Sequence, residues 1–285
     1  MERGIYKRIL HCGLVIASLV IVSAIPVEEE LRISPKELAA LQQYKQIILP
    51  RLKHDYMKTD LYLIRFLRAA NLNLKDAEQR MIDNLKFREE NNLEGILSED
   101  WSDIENDYPY STDTVDKEGR PIVSFSLGDW DLRKGIVQGK RDRVIRYLDK
   151  AFEDVALQIR EKQARGENVT QARPNTNLQI KAIFLINLAN FNLAQQGCFQ
   201  CLPTIYQYFL HQVHFPNLSD KIILVNTPGL FETVLQLLQP IMAPETRVAL
   251  RVFGPDKDKW RNYLYSLVDK NQLYTEFGGT RRHPY

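Results

Sequence analysis

His211 and His214 lie three residues apart, a spacing that sets two imidazoles on one side of a helix and could begin a zinc site. No third ligand with a suitable spacing accompanies them. They read as ordinary helix residues, and no metal or other cofactor is expected. Cys198 and Cys201 make a Cys-x-x-Cys pair. The aromatic, helix-starting surroundings of a redox site are missing there, which leaves a local disulfide or two buried thiols. The chain has no G-x-G-x-x-G after a strand, no G-x-x-x-x-G-K-[ST] and no G-x-S-x-G. Its carboxylates are interleaved with Lys and Arg, as on solvated helix faces. The residues therefore point to binding without covalent chemistry, not to an enzyme.

The bulk properties narrow what is bound. The chain has 285 residues, of which 44% are hydrophobic, with a formal charge of +2. No basic stripe interleaved with aromatics occurs, so nucleic acid is not an expected partner. Arg3, Lys7 and Arg8 precede an apolar run from Cys12 to Val22, and Val22, Ser23 and Ala24 offer a small-residue cleavage point. That is the grammar of a secretory signal over residues 1–24, and the run is short for a membrane span. A secreted or luminal protein is expected. The alternatives are a signal-anchored protein, or a cytoplasmic one if the segment is inert. Cleavage after Ala24 would reduce 38 basic and 36 acidic residues to 35 of each, because it removes Arg3, Lys7 and Arg8 against only Glu2. Asn168-Val-Thr and Asn217-Leu-Ser are candidate glycosylation sites.

The elements follow from periodicity. Ser34-Pro35-Lys36-Glu37 reads as a capping box, and Leu38, Leu41, Ile48 and Leu52 continue at helical spacing. Further helices carry Leu61, Ile64 and Leu67, then Leu74, Ala77, Met81 and Leu85, with Thr59 or Asp60 and then Asn73 at their starts. A small helical module over 34–94 is expected. Beyond it, strands are predicted at 121–127, 180–188, 221–226 and 248–254, with helices at 140–163, 203–213 and 229–238. Apolar strands alternating with helices predict an α/β fold: a mixed, mainly parallel sheet covered by helices. The polar stretch 160–178 reads as a surface loop.

Four stretches, taken in order, resemble the CRAL-TRIO lipid-binding family. Leu63-Ile64-Arg65-Phe66-Leu67-Arg68-Ala69 is similar to the start of its helical module. Asp116-Lys117-Glu118-Gly119-Arg120-Pro121 is similar to its entry to a strand. Phe215-Pro216 through Arg251-Val252-Phe253-Gly254 resembles its core, and Glu276-Phe277-Gly278-Gly279-Thr280 its terminator. The resemblance implies a lipid-binding domain over 100–281 whose sheet floors an apolar cavity closed by a mobile helix. That gate should carry Leu230, Phe231, Val234, Leu235, Leu238, Ile241 and Met242. Expected cavity contacts from the strands are Phe125, Leu127, Phe184, Ile186, Ile223 and Val225. Strands apolar on both faces do not say which face meets ligand.

Departures from the family pattern bear on the cargo. Where the phosphatidylinositol-transfer branch has a basic pair, a Glu and a Lys, this chain has Ala70 and Asn71, Asn217 and Ala249. A neutral ligand such as a sterol, tocopherol or retinoid is therefore expected, with Arg247 and Arg251 as candidate anionic contacts. The β-sandwich that follows the domain in some relatives is not expected here. The expected function is transfer of a small hydrophobic ligand between membranes or in the extracellular space, by a monomer in transient membrane contact. The alternative is a regulatory module that presents phospholipid or phosphoinositide without net transport.

Overall fold

The computed structural model describes residues 33–164 and 181–282. The expected signal at 1–24, the sequon at Asn168 and residues 165–178 of the expected loop lie outside them.

The first helix, α1 (Pro35–Ile48), starts at the expected capping box: Ser34 Oγ accepts from the Glu37 backbone N–H, and Glu37 Oε2 accepts from that of Ser34. Thr59 caps α2 (Asp60–Ala69), and Asn73 caps α3 (Leu74–Glu90). Tyr44, Ile48, Ile64, Leu67 and Met81 share a core distinct from those around the sheet. Leu38, placed on the buried stripe by spacing, is 46% exposed. Polar contacts tie the three helices to the rest of the chain. Arg88 on α3 pairs with buried Glu153 at 2.5 Å, and Asn84 donates to the His214 carbonyl at 2.6 Å.

Five strands form one sheet in sequential order: β1 (Ser111–Val115), β2 (Pro121–Ser126), β3 (Ala182–Asn187), β4 (Ser219–Val225) and β5 (Leu250–Val252). β1 was not predicted: Ser-Thr-Asp-Thr-Val has no apolar alternation. It pairs antiparallel with β2, and the other neighbours are parallel. The β1–β2 turn shows why Asp-Lys-Glu-Gly-Arg is needed there. Asp116 Oδ1 accepts from the Glu118 and Arg120 N–H groups, and Gly119 takes a φ of +77°. Buried Arg120 bridges Asp116 at 2.6 Å and Asp220 at 2.7 Å. The turn is thereby locked to the start of β4.

Each parallel step needs a crossover, and right-handed crossovers between strands in sequential order all fall on one face. The connecting helices are α4 (Leu132–Val137) and α5 (Arg141–Ala164), then α6 (Leu202–Gln212), then α7 (Phe231–Leu238) and α8 (Pro244–Ala249). The opposite face is covered by the C-terminal helix α9 (Lys257–Leu267) and the turn after it. The Glu-Phe-Gly-Gly-Thr stretch closes this layer: Phe277 is fully buried, Gly278 has φ +83°, and a Cβ at Gly279 would sit 1.8 Å from the Leu273 carbonyl oxygen. All four predicted strands shift at their ends, two of them for a visible reason. Leu127 turns into a 3-10 segment, and the last strand starts at Leu250 because Val248 and Ala249 finish α8.

Candidate functional site

Side chains alternate across a strand, so β2, β3 and β4 send one set to each layer. Ile122, Ile183, Leu185, Ile223 and Val225 meet Trp260, Leu264 and Phe277 in the C-terminal layer. Val123, Phe125, Phe184, Ile186, Ile222 and Leu224 face the crossover helices. On that second side the packing does not close. A cavity of about 210 Å³ lies between the sheet and the helices, and a smaller one of about 50 Å³ adjoins it over Phe125, Ile186 and Ile222.

The floor of the larger cavity is Phe125, Leu127, Ile186, Ile222 and Leu224. Phe184 borders the smaller one. Phe231, Val234, Leu235 and Leu238 of α7 form the roof with Met242 and Leu250. Trp130, Leu132, Leu148 and Phe191 wall one side, and Thr204, Ile205, Tyr208, Phe209 and Gln212 of α6 wall another. No charged side chain is among the lining residues.

The structure brings together Phe125, Leu127, Phe184 and Ile186 from the expected strand set, with Phe231, Val234, Leu235, Leu238 and Met242 from the expected helix. Ile223 and Val225 are corrected: they lie on the opposite face against Trp260. β4 is apolar on both sides, and only its register decides, with Ile222 beside Phe184 and Leu224 beside Ile186. Leu230 is 45% exposed and precedes α7, and Ile241 sits in a 3-10 turn off the lining. Arg247 and Arg251 are also corrected. Neither borders the cavity. Arg247 Nη1 donates to the Gln239 carbonyl at 3.1 Å, and Arg251 Nη1 to the Val248 and Leu250 carbonyls. Asn217 is half-buried with φ +54°, and its Nδ2 donates to the Arg65 carbonyl at 3.4 Å, so the expected glycan acceptor serves a contact with the helical module. The α6 wall went unpredicted, although Thr204, Tyr208 and Gln212 recur at the four-residue interval of a helix face.

Cys198 and Cys201 are joined as a disulfide just before α6. His211 Nδ1 contacts buried Asp149 at 2.9 Å, and the His214 ring stacks on Phe87 at 4.0 Å. Burial, with His211 adding to it, pushes the His214 pKa down to about 4. Burial raises that of Asp149, against the opposing pull of His211. These histidines are packing and hydrogen-bonding residues. Among the described residues no group of three or more His, Cys, Asp or Glu could hold a metal ion.

A helical module followed by a mixed sheet, with crossover helices roofing an apolar cavity on one face, defines the class. Residues 105–279 match the CRAL/TRIO domain, and the chain belongs to that family. It is 24% identical over 231 residues to the phosphatidylinositol/phosphatidylcholine transfer protein SFH9 of Arabidopsis thaliana, covering 80% of this chain and 38% of that one. It is 25% identical over 260 residues to SFH12 of the same plant, named for the same transfer activity, covering 86% and 44%. The chain thus spans less than half the length of these relatives. A CRAL-TRIO domain-containing protein of Saccharomyces cerevisiae is 23% identical over 252 residues, covering 85% and 77%. The crystal structure of Sfh5 superposes with a TM-score of 0.61 at 15% identity, covering 88% of this chain and 93% of that one.

Proposed function

We propose that this protein binds a neutral, compact lipid in the cavity above the sheet and carries it between membranes. The observation that carries the reading is a cavity lined mainly by aliphatic and aromatic side chains, without a charge, under a helix that is only half-buried. A ligand with ~16 methylenes would lose about 13 kcal/mol on entering water, at ~0.8 each, so unaided escape from a bilayer is slow. An opening roof that meets the bilayer would bypass that step. Exposed apolar side chains support membrane contact: Leu237 on α7, Leu202, Tyr206 and Leu210 on α6, and Phe199 beside it. Such a surface can lie in the headgroup region.

Residues 1–24 and the Cys198–Cys201 disulfide support a secretory route, in which Asn168 is the glycan acceptor and the carrier works as a monomer. Amino-terminal sequencing of secreted protein tests this, with Ile25 expected as the first residue. A second reading has a specific observation in its favour: the plant relatives are named for phosphatidylinositol and phosphatidylcholine transfer. Transfer of labelled sterol, retinol, phosphatidylinositol and phosphatidylcholine between vesicles separates the two. Faster movement of a neutral lipid supports the first reading. Movement of the phospholipids alone replaces it with the second. Binding without accelerated transfer would indicate a lipid-presenting module.

A further inference from the structure

Helix α6 is amphipathic in an unusual sense. Its solvent side carries Leu202, Tyr206 and Leu210, each about half exposed. Its cavity side carries Ile205 and Phe209 and, beside them, Thr204, Tyr208 and Gln212, whose polar tips border a mostly apolar space. Two of these are unsatisfied. Thr204 is 2% exposed, and its Oγ1 has no hydrogen-bond partner among the described residues. Gln212 Oε1 is likewise buried and without a partner there. Gln212 borders the larger cavity, the 50 Å³ cavity beside it and a third small one near Ser219.

Buried polar atoms in native proteins are almost always paired, because an unpaired one forfeits its hydration. Gln196, by contrast, has a structural use: it donates to the Gly128 and Trp130 carbonyls and accepts from the Asn192 N–H. Thr204 and Gln212 have no comparable use. They are eight residues apart, about 12 Å along a helix axis at 1.5 Å per residue, so they mark two different places along one wall.

We propose that Gln212 is the group that selects the ligand's polar end, and that the end it selects is a hydroxyl. This rests on the reading of the cavity as a neutral-lipid site and names the chemical class within it. An amide presents one acceptor and one donor side by side. A hydroxyl donates to the acceptor and accepts from the donor. An ether, ester or aldehyde can only accept, and would leave Oε1 buried and unpaired. A phosphodiester also only accepts, and would bring an unneutralised charge into the cavity. Thr204 can donate or accept, so it tolerates a second polar atom of either kind near the disulfide end without choosing between them.

The test uses hexadecanol and methyl hexadecyl ether, which differ by the donor, competing against a fluorescent fatty alcohol bound to the full chain. The wild type should bind hexadecanol about tenfold tighter, in keeping with the penalty for an unmet buried acceptor. Gln212→Leu should lose about that factor for hexadecanol and bring the two ligands within about twofold, while Thr204→Val should keep the preference. Equal binding of the two ligands by wild type overturns the assignment of a hydroxyl, even if Gln212→Leu does not fold. A preference that survives in Gln212→Leu overturns the role of Gln212. Failure of both ligands and of the fluorescent alcohol to bind wild type would instead remove the neutral-lipid reading on which the proposal stands.

Discussion

The two faces of the sheet are built from the same strands, often from adjacent residues, and end in opposite states. Behind the sheet, Ile223 and Val225 pack against a fully buried Trp260, with Leu264 and Phe277 completing a closed layer. In front of it, Ile222 and Leu224 face about 210 Å³ of unfilled apolar space. Hydrophobicity does not separate them, since both faces are aliphatic. What differs is the covering. One helix and a tight turn lie flat on the back, whereas the front is roofed by crossover helices with a short, half-buried α7 among them. One face spends its apolar surface on a closed layer, and the other leaves it bordering open space.

The largest expected effect lies behind the sheet. Trp260→Ala should cost about 3–5 kcal/mol, the range for emptying a packed aromatic site, seen as an earlier denaturant midpoint. The protein that stays folded should still bind ligand. Loss of binding without loss of stability would break the distinction between the faces. Matched truncations sharpen it. Ile223→Ala should cost about 3 kcal/mol and Ile186→Ala about 1–2, because Ile186 already borders empty space and forfeits fewer contacts. Equal costs would mean that the front is packed as tightly as the back.

Smaller still is the effect expected at the roof. Leu235→Ser should change stability by about 1 kcal/mol or less, since the side chain is only half-buried, yet speed ligand release in stopped-flow traces. The gentlest probe is pH. The His214 pKa is pushed below its unfolded value, to about 4, so the unfolded chain binds more protons between about 4 and 6.5. The stability this group contributes is full above 6.5 and is lost as pH falls towards 4. His214→Phe should therefore flatten the pH dependence of the melting temperature across that window.

Much of this was legible in the sequence, and the failures have physical causes. The capping box at Ser34, the caps at Thr59 and Asn73 and the long α5 are local features, and local signals located them. β1 has no hydrophobic alternation to announce it, and it exists because β2 offers an edge beyond a locked turn. The facing of β4 is a matter of register with β3, which no property of β4 alone encodes. Arg247 and Arg251 stood close to the cavity in sequence but direct their donors to nearby carbonyls. The α6 wall was hidden differently: Thr204, Tyr208 and Gln212 place polar tips inward while Leu202, Tyr206 and Leu210 place apolar surface outward, so the helix lacks the usual contrast between its sides.

If lipid sits in the front cavity, a bulky side chain there must displace it. Organic extracts of purified wild type, Ile186→Trp and Ile223→Val, read by mass spectrometry, test it most directly. Ile186→Trp puts an indole into the cavity from the middle of its floor, while Ile223→Val trims one methyl group from the back. About one lipid per chain is expected in wild type and Ile223→Val, and close to none in a folded Ile186→Trp. Equal lipid in all three, or none in wild type, would contradict it.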